Sequence, residues 1–249
     1  EIGPPGSLTP ADARRLSALG QEIGVALVPF MNCAGHCEGI GLTEAYNHLS
    51  ADEYPGSKNA EQLALHLPEA TALMRELYED LLDCFSAEYF HIGGDEIRGL
   101  ARLYPTLSEA ERMEKAMDYL LEVIDLVKSR GKKPMMWGDM LLKHPEVIRR
   151  LPRGVIVFDW SSFTSPLLKP MSNAKTFSVF KNAGLPTVFS NAVSLFMGAP
   201  VMSVNNTLNI RWNTDEYRKF FGEQASGVNT SVWEVRYGRF FSCAWPWIY

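Results

Sequence analysis

The stretch Ala87-Glu88-Tyr89-Phe90-His91-Ile92-Gly93-Gly94-Asp95-Glu96 decides how this chain is read. A short apolar run, of the kind that fills a buried strand, empties into two glycines and then presents two adjacent carboxylates. The glycines free the backbone to turn tightly, which sets Asp95 and Glu96 at the carboxyl end of the strand. Taken alone, the pair has a plain explanation in which Asp95 caps a following helix and Glu96 is solvated. The flanking sequence favours chemistry.

Working outward, strands and helices alternate. Toward the amino terminus, Pro68 opens a helix over 68–85 with Leu73, Leu77 and Leu81 as an apolar stripe. Before it lies a polar, glycine-rich segment over 32–59, long enough to be a functional loop. The apolar run over 23–31 predicts a buried strand, and Thr9-Pro10-Ala11-Asp12 supplies an N-cap, a first-turn proline and an acidic third position for a helix over 10–19, ending near Gly20. Toward the carboxyl terminus, Ser108-Glu109-Ala110-Glu111 is a capping box. The helix it opens buries Met113, Met117, Leu120, Leu121, Ile124 and Val127 and stops at Gly131. Further strands are expected over 133–137, 154–160, 186–190 and 227–234, with helices over 144–151, 173–183 and 214–221.

Such alternation builds either a (β/α)8 barrel or an open doubly wound sheet. The strand ends choose between them. Asn32 with His36, Asp95-Glu96, Trp137-Gly138-Asp139, Asp159-Trp160 and Trp233-Glu234 all stand where an apolar strand finishes. A barrel gathers the carboxyl ends of many strands into one bowl, whereas an open sheet concentrates function at a switch point. Neither a Gly-x-Gly-x-x-Gly turn nor a P-loop is present, which argues against a nucleotide fold. The fold class is therefore α/β, a (β/α)8 TIM barrel forming one domain over 1–249. About six βα units are recognisable, so the barrel is expected to be incomplete: either two strands are missing at its amino end or two are not recognisable from the pattern.

The chain has 249 residues, 46% hydrophobic and 21% charged, enough for a sizeable core. A net charge of −5, with no basic run, argues against nucleic acid or an anionic membrane as partner. No apolar run reaches the roughly 18 residues of a membrane span, so a soluble protein is expected. The chain opens on Glu1-Ile2-Gly3 without Met or a signal peptide, so Glu1 is not expected to be the natural start, and the compartment is left open. Cys33, Cys37, Cys84 and Cys243 are too sparse for a disulfide scaffold. The two sequons, at Asn205 and Asn229, matter only in a secreted eukaryotic protein.

The residues also carry a resemblance. Tyr89-Phe90-His91-Ile92-Gly93-Gly94-Asp95-Glu96 is similar to the signature of glycoside hydrolase family 20, the β-N-acetylhexosaminidases. Gly35-His36 after Val28-Pro29 resembles that family's third strand and Gly-His turn, residues 133–140 its fifth strand, and Trp233-Glu234 its eighth. The likeness runs over about 8–247 and begins just before the third strand. Most retaining glycosidases use two separated carboxyl groups; this family is a substrate-assisted exception. The substrate's own 2-acetamido oxygen attacks the anomeric carbon, so the enzyme supplies one proton donor and one negative charge. The resemblance implies that Glu96 is the general acid and then the base, while a charged Asp95 orients the acetamido group and its field keeps Glu96 protonated. It further implies that His36 and His91 brace the pair, that Trp137, Trp160 and Trp233 line the sugar pocket with exposed ring faces, and that Glu234 and Asp139 accept bonds from sugar hydroxyls. No cofactor and no metal are expected; the partner is a glycan ending in N-acetylhexosamine.

Three features depart from the family pattern. Its sugar-binding Arg belongs to a strand outside this sequence; its Asp-x-Tyr has no counterpart in Ser190-Asn191-Ala192-Val193; and Trp233-Glu234 lacks the intervening residue of Trp-x-Glu. The chain thus resembles a divergent branch. Two other readings stand beside it: a non-catalytic carbohydrate-binding relative, and a metal-dependent barrel hydrolase using His36, His91, Asp95 and Asp139. Cys33, His36 and Cys37 could form half a zinc knuckle, but a surface turn with ordinary thiols is the expectation, since no second cluster completes one.

Overall fold

A computed structural model describes residues 6–51, 61–160, 174–194 and 204–232. They fall into two compact units, dividing after Ile156.

The first unit opens with α1 (Pro10–Glu22), whose capping box is Thr9 with Asp12: the Thr9 hydroxyl accepts from the Asp12 N–H at 3.2 Å. The expectation of a buried strand over 23–31 is corrected. The segment turns at Ile23–Gly24 and then meets the sheet only at one parallel bridge, Phe30 with His91. Met31 N–H donates to the His91 carbonyl at 3.1 Å and His91 N–H to the Pro29 carbonyl at 3.0 Å. Pro29 has no N–H to extend a ladder. Ile23, Val25, Val28 and Phe30 are exposed, between 37% and 68%.

After a loop that carries the short α2 (Glu38–Gly41) and a 3-10 turn at Asn47–Leu49, α3 (Pro68–Cys84) runs under the site. Its buried face is Ala70, Met74, Tyr78 and Leu82, with Cys84. The sequence stripe Leu73, Leu77, Leu81 is one position out of phase with it. Then come β1 (Tyr89–His91), the one-turn α4 (Leu100–Leu103), and α5 (Glu109–Ser129), whose Ser108–Glu111 box forms as expected. On α5, Met113, Met117, Leu120, Ile124 and Val127 are buried, joined by Ala116, Tyr119, Val123 and Leu126, while Leu121 is only partly covered. The strand β2 (Lys133–Trp137) pairs in parallel with β1, Tyr89 opposite Lys133 and His91 opposite Met135. It is followed by α6 (Asp139–Lys143) and a 3-10 stretch at Pro145–Arg150.

The second unit holds β3 (Ile156–Asp159) from Val157 onward, α7 (Ala174–Asn182), β4 (Thr187–Ser194), α8 (Val204–Phe221), a 3-10 turn at Gly222–Gln224, and β5 (Ala225–Val232). β4 pairs in parallel with both β3 and β5. Parallel neighbours require crossovers, and α7 and α8 supply them. Phe177, Phe189, Tyr217 and Phe221 make an aromatic core between these helices and the sheet. The Tyr217 hydroxyl donates to the Thr187 carbonyl and accepts from Ser226 N–H at 2.9 Å, tying the starts of both strands. β4 runs four residues beyond its expected end at Ser190, so Asn191, Ala192 and Val193 belong to the strand.

Candidate active site

At the end of β1 the chain turns on Gly93 and Gly94, at φ +70° and +85°. Gly93 is required twice over. Its conformation disfavours other residues, and a Cβ there would lie 2.2 Å from Asn32 Oδ1 and 2.8 Å from Asn32 Cα. Trp137 N–H donates to the Gly93 carbonyl at 2.9 Å, and Ile92 N–H to the Met135 carbonyl at 2.8 Å, so β2 carries the turn. Helices lock it from below. The Tyr78 hydroxyl of α3 lies 2.7 Å from the Met31 carbonyl and 3.2 Å from that of Ile92, and Tyr119 of α5 donates to the Cys33 carbonyl at 2.9 Å.

The following loop brings the acid pair against residues 32–37. A Cβ on Gly35 would meet the Asp95 carbonyl at 2.7 Å and that of Glu96 at 3.1 Å, so only glycine permits this approach. His36, at φ +52°, then projects beside both acids. Its Nε2 lies 3.2 Å from Glu96 Oε2 and 3.6 Å from Asp95 Oδ2, and its Nδ1 lies 3.7 Å from Glu38 Oε1. Glu96 itself has φ +45°, and its N–H donates to Asp139 Oδ2 at 3.1 Å. No helix begins at Asp95, which removes the capping explanation of the pair.

The two acids differ in setting. Asp95 is 6% exposed, and its Oδ1 is buried without a hydrogen-bond partner among the described residues. Burial pushes its carboxyl up to about 6; His36 pulls the other way, and the charges of Asp139 and Glu96 add to the rise. Glu96 is more open, with its side chain 29% exposed and Arg98 Nη2 only 2.8 Å from its Oε2. Arg98 also lies 3.8 Å from Glu61, and its N–H donates to buried Gln62 Oε1 at 2.8 Å. Gln62 Nε2 in turn donates to the Ala34 carbonyl at 2.9 Å, so one amide ties the His36 loop to the acid loop.

His91 is buried, and desolvation drops its pKa to about 3, so it is neutral at any working pH. Its Nδ1 accepts the Gly93 N–H at 3.1 Å, which leaves the ring proton on Nε2. Trp137 was expected to show an open ring face. It is 7% exposed instead, with its ring centroid 4.7 Å from that of His91 and 6.2 Å from that of Phe30, because the ends of adjacent strands stack their side chains. Asp139 heads α6 beside the acid pair, with Lys143 Nζ 3.5 Å from Oδ2 and Oδ1 buried without a hydrogen-bond partner among the described residues. Trp160 follows β3 in the second unit, next to buried Asp159. Trp233 and Glu234 lie outside the described residues.

The expected surface turn with ordinary thiols is also corrected. Cys33 and Cys37 are buried, and burial raises both thiols, Cys37 to about 12. Cys37 Sγ donates to the Gly35 carbonyl at 3.4 Å, a structural role within the glycine turn. Among the described residues no group of three His, Cys, Asp or Glu side chains is arranged to hold a metal ion. None of their helices is long and apolar enough to cross a membrane. Sequence reasoning missed Arg98 and Gln62. Arg98, two residues past Glu96 and opposite in charge, carried a local signal; Gln62 carried none, being 36 positions from the N–H it accepts.

Over 139 residues the chain is 25% identical to a probable beta-hexosaminidase of Arthroderma benhamiae, an alignment covering 51% of this chain and 21% of that protein. It is 26% identical over 144 residues to a beta-N-acetylhexosaminidase of Cellulomonas fimi, covering 55% and 26% respectively. The chain thus spans about a quarter or less of these relatives' length. The solved beta-N-acetylhexosaminidase of Bacteroides fragilis superposes with a TM-score of 0.68 at 14% identity, over 93% of this chain and 48% of that one, which shows the shared barrel fold. The model of the catalytic domain of glycosyl hydrolase family 20 matches residues 3–233, nearly the whole chain, and on that match the protein belongs to glycosyl hydrolase family 20.

Proposed function

We propose that this chain carries the proton-transfer half of a β-N-acetylhexosaminidase site that removes terminal N-acetylhexosamine from β-linked glycans by the substrate-assisted, retaining route. The observation that carries the reading is the unlike pair at the end of β1. Asp95 is buried with one oxygen unpartnered among the described residues, whereas Glu96 is half-open beside it.

Each atom then has a task. The unpartnered Asp95 Oδ1 accepts the acetamido N–H, and its negative charge favours the amide as it attacks the anomeric carbon through its carbonyl oxygen. That attack breaks the bond to the leaving group and gives a bicyclic oxazolinium. Glu96 passes its proton to the departing oxygen and, as carboxylate, later takes one from the water that opens the ring. His36, within reach of both carboxylates, orients them. His91, neutral and bonded to Gly93 N–H, holds the turn. Asp139, which accepts the Glu96 N–H, fixes where Glu96 points in addition to any bond to sugar. With Asp95 titrating near 6, hydrolysis should fall as pH drops below that value.

The test is a Glu96→Gln variant against a chromogenic N-acetyl-β-glucosaminide. A loss of about 100-fold or more in kcat is expected, within the range of a general acid, with the circular dichroism spectrum unchanged. Full activity in that variant sinks the assignment. Sugar binding without hydrolysis by the unaltered protein would instead point to a non-catalytic carbohydrate-binding relative.

A further inference from the structure

Side chains around the acid pair are graded by depth. Asp95 is 8% exposed, Glu96 29%, and Arg98 63%. In a site that takes the end of a glycan, the terminal sugar goes to the floor and the rest of the chain leads out through the mouth. Arg98 stands at the mouth. Its Nη2 is 2.8 Å from Glu96 Oε2, and a general acid must come within about 3 Å of the oxygen it protonates, which puts the guanidinium within about 6 Å of the leaving-group oxygen.

Charge makes this placement informative. Around the pair stand the acids Glu38, Glu61 and Asp139, the last facing Lys143 Nζ at 3.5 Å, so Arg98 is the cation in direct contact with the general acid. When Glu96 carries the proton that the first step needs, Arg98 loses a full charge partner and keeps Glu61 at 3.8 Å. An exposed ion pair exchanges partners at little cost, and a guanidinium fork fits a carboxylate in two-point geometry. Its backbone is fixed meanwhile by the bond to buried Gln62, so the side chain swings from a stationary root.

We propose that Arg98 is a specificity-determining residue that binds the carboxylate of an acidic sugar next to the terminal N-acetylhexosamine. The inference rests on the role given to Glu96 above. On binding, the sugar carboxylate takes the place beside Arg98 that Glu96 Oε2 occupies in the free protein.

The experiment compares two disaccharides of the same linkage, N-acetylglucosamine on glucuronic acid and on glucose, using the full natural protein. The unaltered enzyme is expected to prefer the uronate in kcat/KM by about tenfold, the worth of one charge-assisted bond. That ratio should shrink as salt is raised, fall to about one or below in Arg98→Gln, and be partly kept in Arg98→Lys. Hydrolysis of both disaccharides without preference overturns the inference and leaves the proposed function standing. A uronate preference that survives in Arg98→Gln also overturns it, and so does an equal loss on both substrates. Hydrolysis of neither, by the unaltered enzyme, overturns the proposed function and this inference with it.

Discussion

With its carboxyl pushed up to about 6 by burial, Asp95 holds a proton in the native state at pH values where the unfolded chain has released it. The sign follows directly. For an acid whose native pKa is raised, stability is unaffected below the unfolded value near 4 and is lost as pH climbs to about 6. Above that, the ionised group costs about 3 kcal/mol. An Asp95→Asn variant should therefore match the unaltered protein in thermal stability near pH 4 and exceed it at pH 7, by up to that amount. It should also lose hydrolysis of 2-acetamido substrates far more than of any lacking that group. Melting curves at the two pH values and a pair of aryl glycosides check both halves. Equal stability at pH 7 would mean that the acid pays no desolvation penalty, and equal losses on both substrates would argue against participation by the acetamido group.

Helices α3 and α5 do more than cover the sheet. Each sends a buried tyrosine hydroxyl to a carbonyl in the strand-end loops, Tyr78 to Met31 and Ile92, and Tyr119 to Cys33. Both rings are buried, and burial raises both phenols, so they act as neutral donors throughout. Tyr78→Phe keeps the ring and removes the donor. It should cost about 1–3 kcal/mol in denaturant unfolding, the penalty of leaving buried carbonyls unsatisfied. The same change should also lower kcat, because Ile92 directly precedes the turn that carries Asp95 and Glu96. A stability loss with unaltered kcat would show that the bond supports the helix packing without setting the acid pair.

Among the described residues, the exposed large apolar side chains gather along the amino-terminal helix and the segment after it. Leu8, Leu16, Leu19, Ile23, Val25, Val28 and Phe30 are each at least 37% exposed. An apolar segment with open side chains and only one bridge to the sheet invites edge pairing and association. Residues 1–249 by themselves should thus self-associate at high protein concentration, and Val25→Lys with Val28→Lys should reduce it. Light scattering with and without the pair of changes reads this out; a monomeric unaltered chain would show that the surface is harmless.

At this same scale, the sequence determined what depends on neighbours in the chain: the capping boxes at Thr9 and Ser108, the helices they open, and the turn through Gly93 and Gly94 to the acid pair. Local hydrogen bonds and backbone freedom decide such features, and they are legible within a few residues. The catalytic-domain signature was legible for the same reason, as one contiguous stretch. Only the tertiary structure decided which segments pair, which side chains are covered, and what stands beside Glu96. The run over 23–31 is apolar enough for a buried strand, yet its burial depends on partners that no local pattern contains. The contact of Asp139 with Glu96 N–H, the closing of Trp137 over His91 and the bridge through Gln62 join residues far apart in sequence. So does the division of labour within the acid pair, since one carboxylate is buried and the other meets Arg98, a difference of solvation and charge that exists only once the chain has folded.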